Sequence, residues 1–359
     1  MNALEHELSY PFGDTLPQPG HTLELVPGVR WVRMALPFAL DHINLWLLRD
    51  EMDGQAGWTI VDCGISNEAT RAAWEQVFES ELGGLPVLRV IVTHLHPDHV
   101  GLAAWLTQKW STPTHECRLW MSTSDFLAAR MASSATAGTG VISAPFAASH
   151  GITDAETLDK LKGRSGHYAS LVPEVPDRYR RMIDGDVLRI GGHDWVCHTG
   201  YGHAPEHISL HSPSRGVLIS GDMVLPRIST NVGVSESEPE GNPLLRYLES
   251  VERMRALPAD TLVLPSHGRP FRGLHTRIDQ LKSHHDDRFA EVLQACAEAP
   301  QSAADLLTVL FKRKLDLHQT TFAMGESIAH LHALWHAGKL VRQVGSDGVH
   351  RFAPAAKAA

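Results

Sequence analysis

From His21 to Gly64, apolar residues alternate with polar and turn residues in HTLELV, VRWVRMAL, INLWLLRD and WTIVDCG. A period of two predicts consecutive strands of an antiparallel sheet. The period then lengthens. Asn67 stands where an N-cap belongs, ahead of EATRAAWEQVF, and the pattern predicts a helix to about Leu82. LPVLRVIVTH predicts a short buried strand ending at a histidine, with a new helix from about Val100. From about Met121 to Asp186 the pattern predicts an insertion: a small-residue stretch, MASSATAGTG, then helices over DAETLDKLKG and VPDRYRRMIDG. Strands resume with DVLRI, HDWVCHTG, HISLHS and GVLISGD, followed by a helix around NPLLRYLESVERMRAL and a strand TLVLPSHG.

A long helical pattern runs from Gly273 to about Ala297, and Pro300 marks a boundary. Beyond it AADLLTVLFKR, TTFAMGESIAHLHALWHAG and KLVRQVGSDGVHRFAP predict helix, helix and a hairpin turning at Ser-Asp-Gly, the order of a small winged-helix module. The whole succession predicts an α/β sandwich with helices around two sheets. We divide it into a catalytic domain over 1–295, with the insertion at about 121–186, and a C-terminal domain over 296–359.

Composition narrows the function. The chain has 359 residues, 43% of them hydrophobic, enough for a sizeable core. Its formal charge of −9 disfavours nucleic acid or an acidic membrane as the main partner. Cys63, Cys117, Cys197 and Cys296 form no C-x-x-C pair, so reduced, buried thiols are expected. No basic segment precedes an apolar run at the start of the chain, and no stretch is apolar enough to span a bilayer; the expectation is a cytoplasmic protein. The 23 histidines exceed what a core needs.

His94, His96, Asp98 and His99 form H-x-H-x-D-H directly after a strand, which crowds three imidazoles and a carboxylate into a small volume. These are the ligands zinc takes when sulfur is absent, and four of them exceed one open site's needs, so two divalent ions are expected. In HTGYGHAPEH the glycines let the backbone bend and deliver His203. Asp222 ends the apolar strand GVLIS and could bridge two cations, and His267 follows the apolar strand in LVLPSHG. His330, His332 and His336 lie on an apolar helix, where core or interface roles are expected.

The order H-x-H-x-D-H, G-H, G-D, S-H-G resembles the metallo-β-lactamase superfamily of hydrolases over roughly residues 20–290. The resemblance implies a four-layer αββα sandwich, one metal on His94, His96 and His203, a second on Asp98, His99 and His267, and Asp222 between them. It also implies that Asp62 orients a histidine ligand, that Asp98 acts catalytically, and that the ions are zinc, with iron or manganese as alternatives. Two such ions sharing a water provide hydroxide near neutral pH.

An aspartate rather than a cysteine at 222 argues against antibiotic hydrolysis. The C-terminal module and the segments GHAPEHISL and SGDMVLPRIST make the layout resemble the branch named for β-lactamase-like protein 2, which includes acyl-thioester hydrolases and single-strand-specific endoribonucleases. Residues 300–359 carry seven Lys or Arg against four Asp or Glu, but TTFAMGESIAHLHALWHA carries none of the basic residues that contact phosphates and base edges. The leading expectation is therefore hydrolysis of a small-molecule ester, thioester or lactone. Cleavage of single-stranded RNA is second, and a regulatory nucleic-acid-binding protein with a structural metal site is third. A homodimer is also expected. Arg164, His167 and Tyr168 of the insertion, with Arg227 and His207, are the candidate pocket residues; the insertion's helices would arch over the metals and exclude water.

Overall fold

The computed structural model describes residues 2–134, 143–163 and 166–356. Its first sheet contains seven strands in chain order: β1 (Thr22–Val26), β2 (Val29–Ala35), β3 (His42–Met52), β4 (Gln55–Val61), β5 (Val87–Ile91), β6 (Arg118–Met121) and β7 (Tyr179–Arg181). The first four pair antiparallel, and β5, β6 and β7 add on in parallel. The second sheet is built from β8 (Val187–Ile190), β9 (His193–Gly200), β10 (His207–Ser212), β11 (Val217–Gly221) and β12 (Leu262–Pro265), antiparallel except for the β11–β12 pair.

Alternation along these strands creates the layers. Trp31 on β2 and Trp46 and Leu48 on β3 point to one side and meet Trp195, Ile208, Leu210 and Ile219 of the second sheet. Their neighbours Val32, Ile43, Leu45 and Leu47 point the other way, into a core shared with Trp74 and Val77 of α1 (Glu68–Ser80) and Leu106, which follows α2 (Pro97–Val100) in α3 (Ala103–Trp110). A period of two with both faces apolar thus forces a sheet to be covered twice. Asn67 caps α1 as expected, accepting the Thr70 amide at 2.8 Å.

The insertion supplies α4 (Thr123–Ser133), α5 (Ala144–Ser149), α6 (Ala155–Lys162) and α7 (His167–Leu171). One expectation fails here. VPDRYRRMIDG is not helical: Tyr179–Arg181 pairs with Leu119–Met121 as an edge strand. Pro173 and Pro176 bias the preceding residues away from helical backbone and leave the segment available to the sheet.

The outer face of the second sheet is covered by α8 (Pro243–Arg253), α9 (Leu274–Glu298) and the C-terminal segment: α10 (Leu307–Leu310), α11 (Leu317–His336) and the antiparallel hairpin β13 (Leu340–Val344) and β14 (His350–Pro354). AADLLTVLFKR forms only the short α10, not a full helix, and α9 runs straight through position 296. Val263, Tyr247 and Ile278 share one apolar cluster with Met324, Ile328 and Phe352, and with Ala144 and Leu161 of the insertion. The C-terminal segment therefore packs as part of the sandwich. All four cysteines are buried and free, and no helix among the described residues is long and apolar enough to cross a membrane.

Candidate metal centre

The ligand-bearing residues leave strand ends. After β5 the chain bends through Thr93–His96, and Pro97 then starts α2, so Asp98 and His99 sit on a helical turn. Gly202, at φ 97°, turns the β9–β10 loop and presents His203. Asp222 follows β11 and His267 follows β12. Gly221 is required where it stands, at φ 53°, because a side chain there would collide with the His207 ring. Two backbone bonds hold the ends together across the sandwich: Ile208 donates to Thr93 at 2.9 Å and Asn44 to Ser266 at 2.7 Å.

His94 Nε2 lies 2.9 Å from His96 Nδ1 and 3.1 Å from His203 Nε2, which in turn lies 3.3 Å from Asp222 Oδ2. The other carboxylate oxygen of Asp222 faces a second group, 3.6 Å from His99 Nε2 and 3.4 Å from His267 Nε2; Asp98 Oδ2 stands 3.7 Å and 3.4 Å from the same nitrogens. Zinc ligands at ~2.0–2.1 Å in a tetrahedron are about 3.3 Å apart, so both groups have the size a divalent ion requires. His99 Nε2 and Asp222 Oδ1 are buried with no hydrogen-bond partner among the described residues, which is the deficit a cation would fill.

Four imidazoles are locked through their second nitrogen. His99 Nδ1 donates to Asp62 Oδ2 at 2.8 Å, His203 Nδ1 to Asn231 O at 2.7 Å and His267 Nδ1 to His42 O at 2.7 Å, while His94 Nδ1 lies 3.0 Å from Thr93 Oγ1. Each bond directs Nε2 into the cluster and fixes its tautomer. Asp62 is itself held by the Thr93 amide at 2.8 Å, in a left-handed backbone conformation of φ 63° that few non-glycine residues adopt.

A family model described as the Metallo-beta-lactamase superfamily matches residues 39–267, and one described as Metallo-beta-lactamase-like, C-terminal domain matches 289–355. The chain belongs to the metallo-beta-lactamase superfamily. Among solved structures it is similar to a beta-lactamase domain protein from Burkholderia ambifaria, with 58% identity, a TM-score of 0.93, and 99% of this chain and 100% of that one covered. Among curated proteins it is 25% identical to Probable metallo-hydrolase YqjP of Bacillus subtilis, covering 84% of this chain and 91% of the relative. It is 32% identical to the hydroxyacylglutathione hydrolase of Idiomarina loihiensis, over 26% of this chain and 34% of that protein. The chain is thus a superfamily metallo-hydrolase, and its cluster of His and Asp residues is of the kind that could hold divalent metal ions.

Burial and the neighbouring imidazoles push His94 well below its ordinary range. Burial, then His203, does the same to His96, so both are neutral ligands. Burial also opposes charge on His99, but Asp98, Asp62 and Asp222 outweigh it and raise this ring to about 10. The two halves of this superfamily site therefore differ: one is rich in neutral imidazole, the other in carboxylate.

The seven residues read as ligands converge, but the candidate pocket residues separate. His207 is fully buried beneath the cluster, pushed down to about 3 by burial, and its Nε2 accepts the Asp222 amide at 3.1 Å. Tyr168 is buried too, and its hydroxyl donates to Leu95 O within the H-x-H turn. Both were expected on the pocket wall; both brace ligand-bearing backbone instead. Arg227 is turned to the surface, 3.7 Å from Glu5. His167 is half-buried and packs edge-on to His318 at 6.4 Å. Arg164 lies outside the described residues. His330 and His332 are buried in core contacts and His336 bonds to Glu240 O, away from either ligand group.

Sequence reading missed Asp125, which is fully buried on α4. Its Oδ1 accepts the Leu95 amide at 2.9 Å and its Oδ2 the Glu206 amide at 2.6 Å, clamping the H-x-H turn to the His203 loop. Its position three residues after the N-cap Ser122 looks like ordinary helix-start chemistry, and no local pattern distinguishes it.

Proposed function

We propose that this metallo-hydrolase is a binuclear zinc enzyme that cleaves a small-molecule acyl ester, thioester or lactone. The observation that supports two ions is the division of Asp222, with one oxygen against each donor group. The donors are imidazole and carboxylate without sulfur, a set that suits zinc and also admits iron or manganese. A pair of divalent cations supplies a nucleophile near neutral pH and charge stabilisation for an acyl substrate.

The chain's own residues prepare the site in three ways. Asp62, Thr93, Asn231 and the His42 carbonyl orient the ligands, so little reorganisation is left for the reaction. Asp98, the more exposed of the two carboxylates in the cluster, stands between His99 and His267 with an oxygen available to orient a reactant's proton. Its variant Asp98→Ala is expected to lose metal and activity together. The absence of any Lys or Arg in α11 supports a small acyl substrate over RNA, as does the similarity to a protein named for hydroxyacylglutathione. The test is a panel of acyl-CoA thioesters, lactones and single-stranded RNA with zinc-loaded protein. Acyl turnover is expected, and rapid RNA cleavage without acyl turnover would overturn the reading.

A further inference from the structure

Three elements that anchor on the ligand-bearing backbone also carry rings that meet one another. The β2–β3 loop carries Phe38, and its far end, His42, accepts His267 Nδ1 on its carbonyl and the Gly268 amide on its ring, at 2.7 and 2.8 Å. Helix α7 carries His167 beside Tyr168, whose hydroxyl holds Leu95 O. Helix α11 carries His318 and Phe322 and is pinned one turn later, where Gly325 O accepts the Val234 amide at 3.2 Å and a side chain on either Gly233 or Gly325 would crowd the other's backbone. The segment just before Val234 is the one whose Thr230 hydroxyl holds Asp222 O and whose Asn231 carbonyl holds His203. Each ring-bearing element is therefore tied by hydrogen bonds to a segment that contacts the His and Asp cluster.

The four rings centre on His318. Phe38 stacks on it at 5.9 Å and 25°, Phe322 meets it edge-on at 4.8 Å, and His167 lies edge-on at 6.4 Å. A core would enclose such a set, yet Phe322 is 40% exposed, and Phe38, His167 and His318 are each only half-buried. A partly open cluster of two phenyl and two imidazole rings offers flat faces and edges to an aromatic group. Neither α7 nor α11 has a Lys or Arg that would favour a phosphate.

We propose that Phe38, His167, His318 and Phe322 form a specificity wall beside the metal centre that selects substrates bearing a flat aromatic group, so the C-terminal segment completes the substrate site. The proposal rests on the acyl-hydrolase reading. Wild type and the His318→Ala/Phe322→Ala double variant are compared on phenylacetyl-CoA and acetyl-CoA, with metal content and unfolding midpoint measured for both. Calorimetry of phenylacetate and acetate binding supplies a readout that does not depend on turnover. Removing a preformed apolar contact surface is expected to lower the phenylacetyl-to-acetyl ratio of kcat/KM by roughly 10–100-fold, with acetyl turnover and metal content retained. Phenylacetate binding weakens in parallel. An unchanged ratio, or a wild type that prefers acetyl, overturns the wall. If neither these thioesters nor the lactones of the panel are cleaved, the acyl-hydrolase reading fails; wherever the two thioesters are not cleaved, calorimetry decides the wall alone: phenylacetate binding lost in the variant supports it, and equal binding by both proteins overturns it.

Discussion

Asp62→Asn probes the preparation of the metal centre with the least change in shape. Asn retains an oxygen for the Thr93 amide, now 2.8 Å from Asp62 Oδ1, and tolerates the left-handed backbone at φ 63° better than most residues. What changes is the group facing His99. A carboxylate oxygen accepts Nδ1–H at 2.8 Å; an amide NH2 in its place opposes one donor to another. His99 then moves its proton to Nε2, the nitrogen that must be bare to ligate, or loses its orientation. Losing such an outer partner typically costs about 10–100-fold in metal affinity, equivalent to roughly 1.4–2.7 kcal/mol. The loss falls on the group formed by Asp98, His99 and His267, so chelator competition is expected to show one zinc released early and one retained. Activity follows the early zinc and is partly restored by excess metal. If both zincs are held as tightly as in wild type, Asp62 does not set the His99 tautomer and the argument fails.

Asp125→Ala leaves the buried Leu95 and Glu206 amides without their acceptor, at about 1–3 kcal/mol each, and should lower urea stability and loosen zinc on the His94 side first. Asn44→Ala removes the acceptor of Trp31 Nε1 and the side-chain donor to the carbonyls of Pro265 and Gly268, the latter keeping its bond from Arg33, and a stability loss of roughly 2–4 kcal/mol is expected by denaturant titration. Acid should weaken the C-terminal part of the fold: burial lowers His150, His330 and His332 to about 4, so the unfolded chain takes up protons first as pH falls below their ordinary value of 6.5. Stability is then lost between about pH 6.5 and about pH 4, at ~1.4 kcal/mol per unit of depression for each ring, and urea titrations that agree between about pH 7 and about pH 4.5 would contradict this.

The convergence of the candidate ligands was legible because the H-x-H-x-D-H run, Asp222 and His267 follow apolar runs that read as strands, while glycines marked the turn that carries His203. The partners of those ligands were not. Asn231 meets His203 across 28 residues and His42 meets His267 across 225, contacts between a ring and a backbone carbonyl that leave no mark on residue type. His207 and Tyr168 carry the chemistry of pocket residues, and only burial reveals them as braces. The strand at Tyr179–Arg181 was hidden because its residues suit a helix and its prolines act at a distance along the chain. The C-terminal segment reads locally as an independent module, whereas its shared core with α8, α9 and the insertion depends on which faces meet in three dimensions.

The central claim is that the seven ligands hold a pair of divalent ions with Asp222 between them. Anomalous diffraction at the zinc edge from crystals of zinc-loaded protein tests it most directly. The account predicts two peaks, one among His94, His96 and His203 and the other among Asp98, His99 and His267. A single peak, or metal bound elsewhere with this cluster empty, would contradict it.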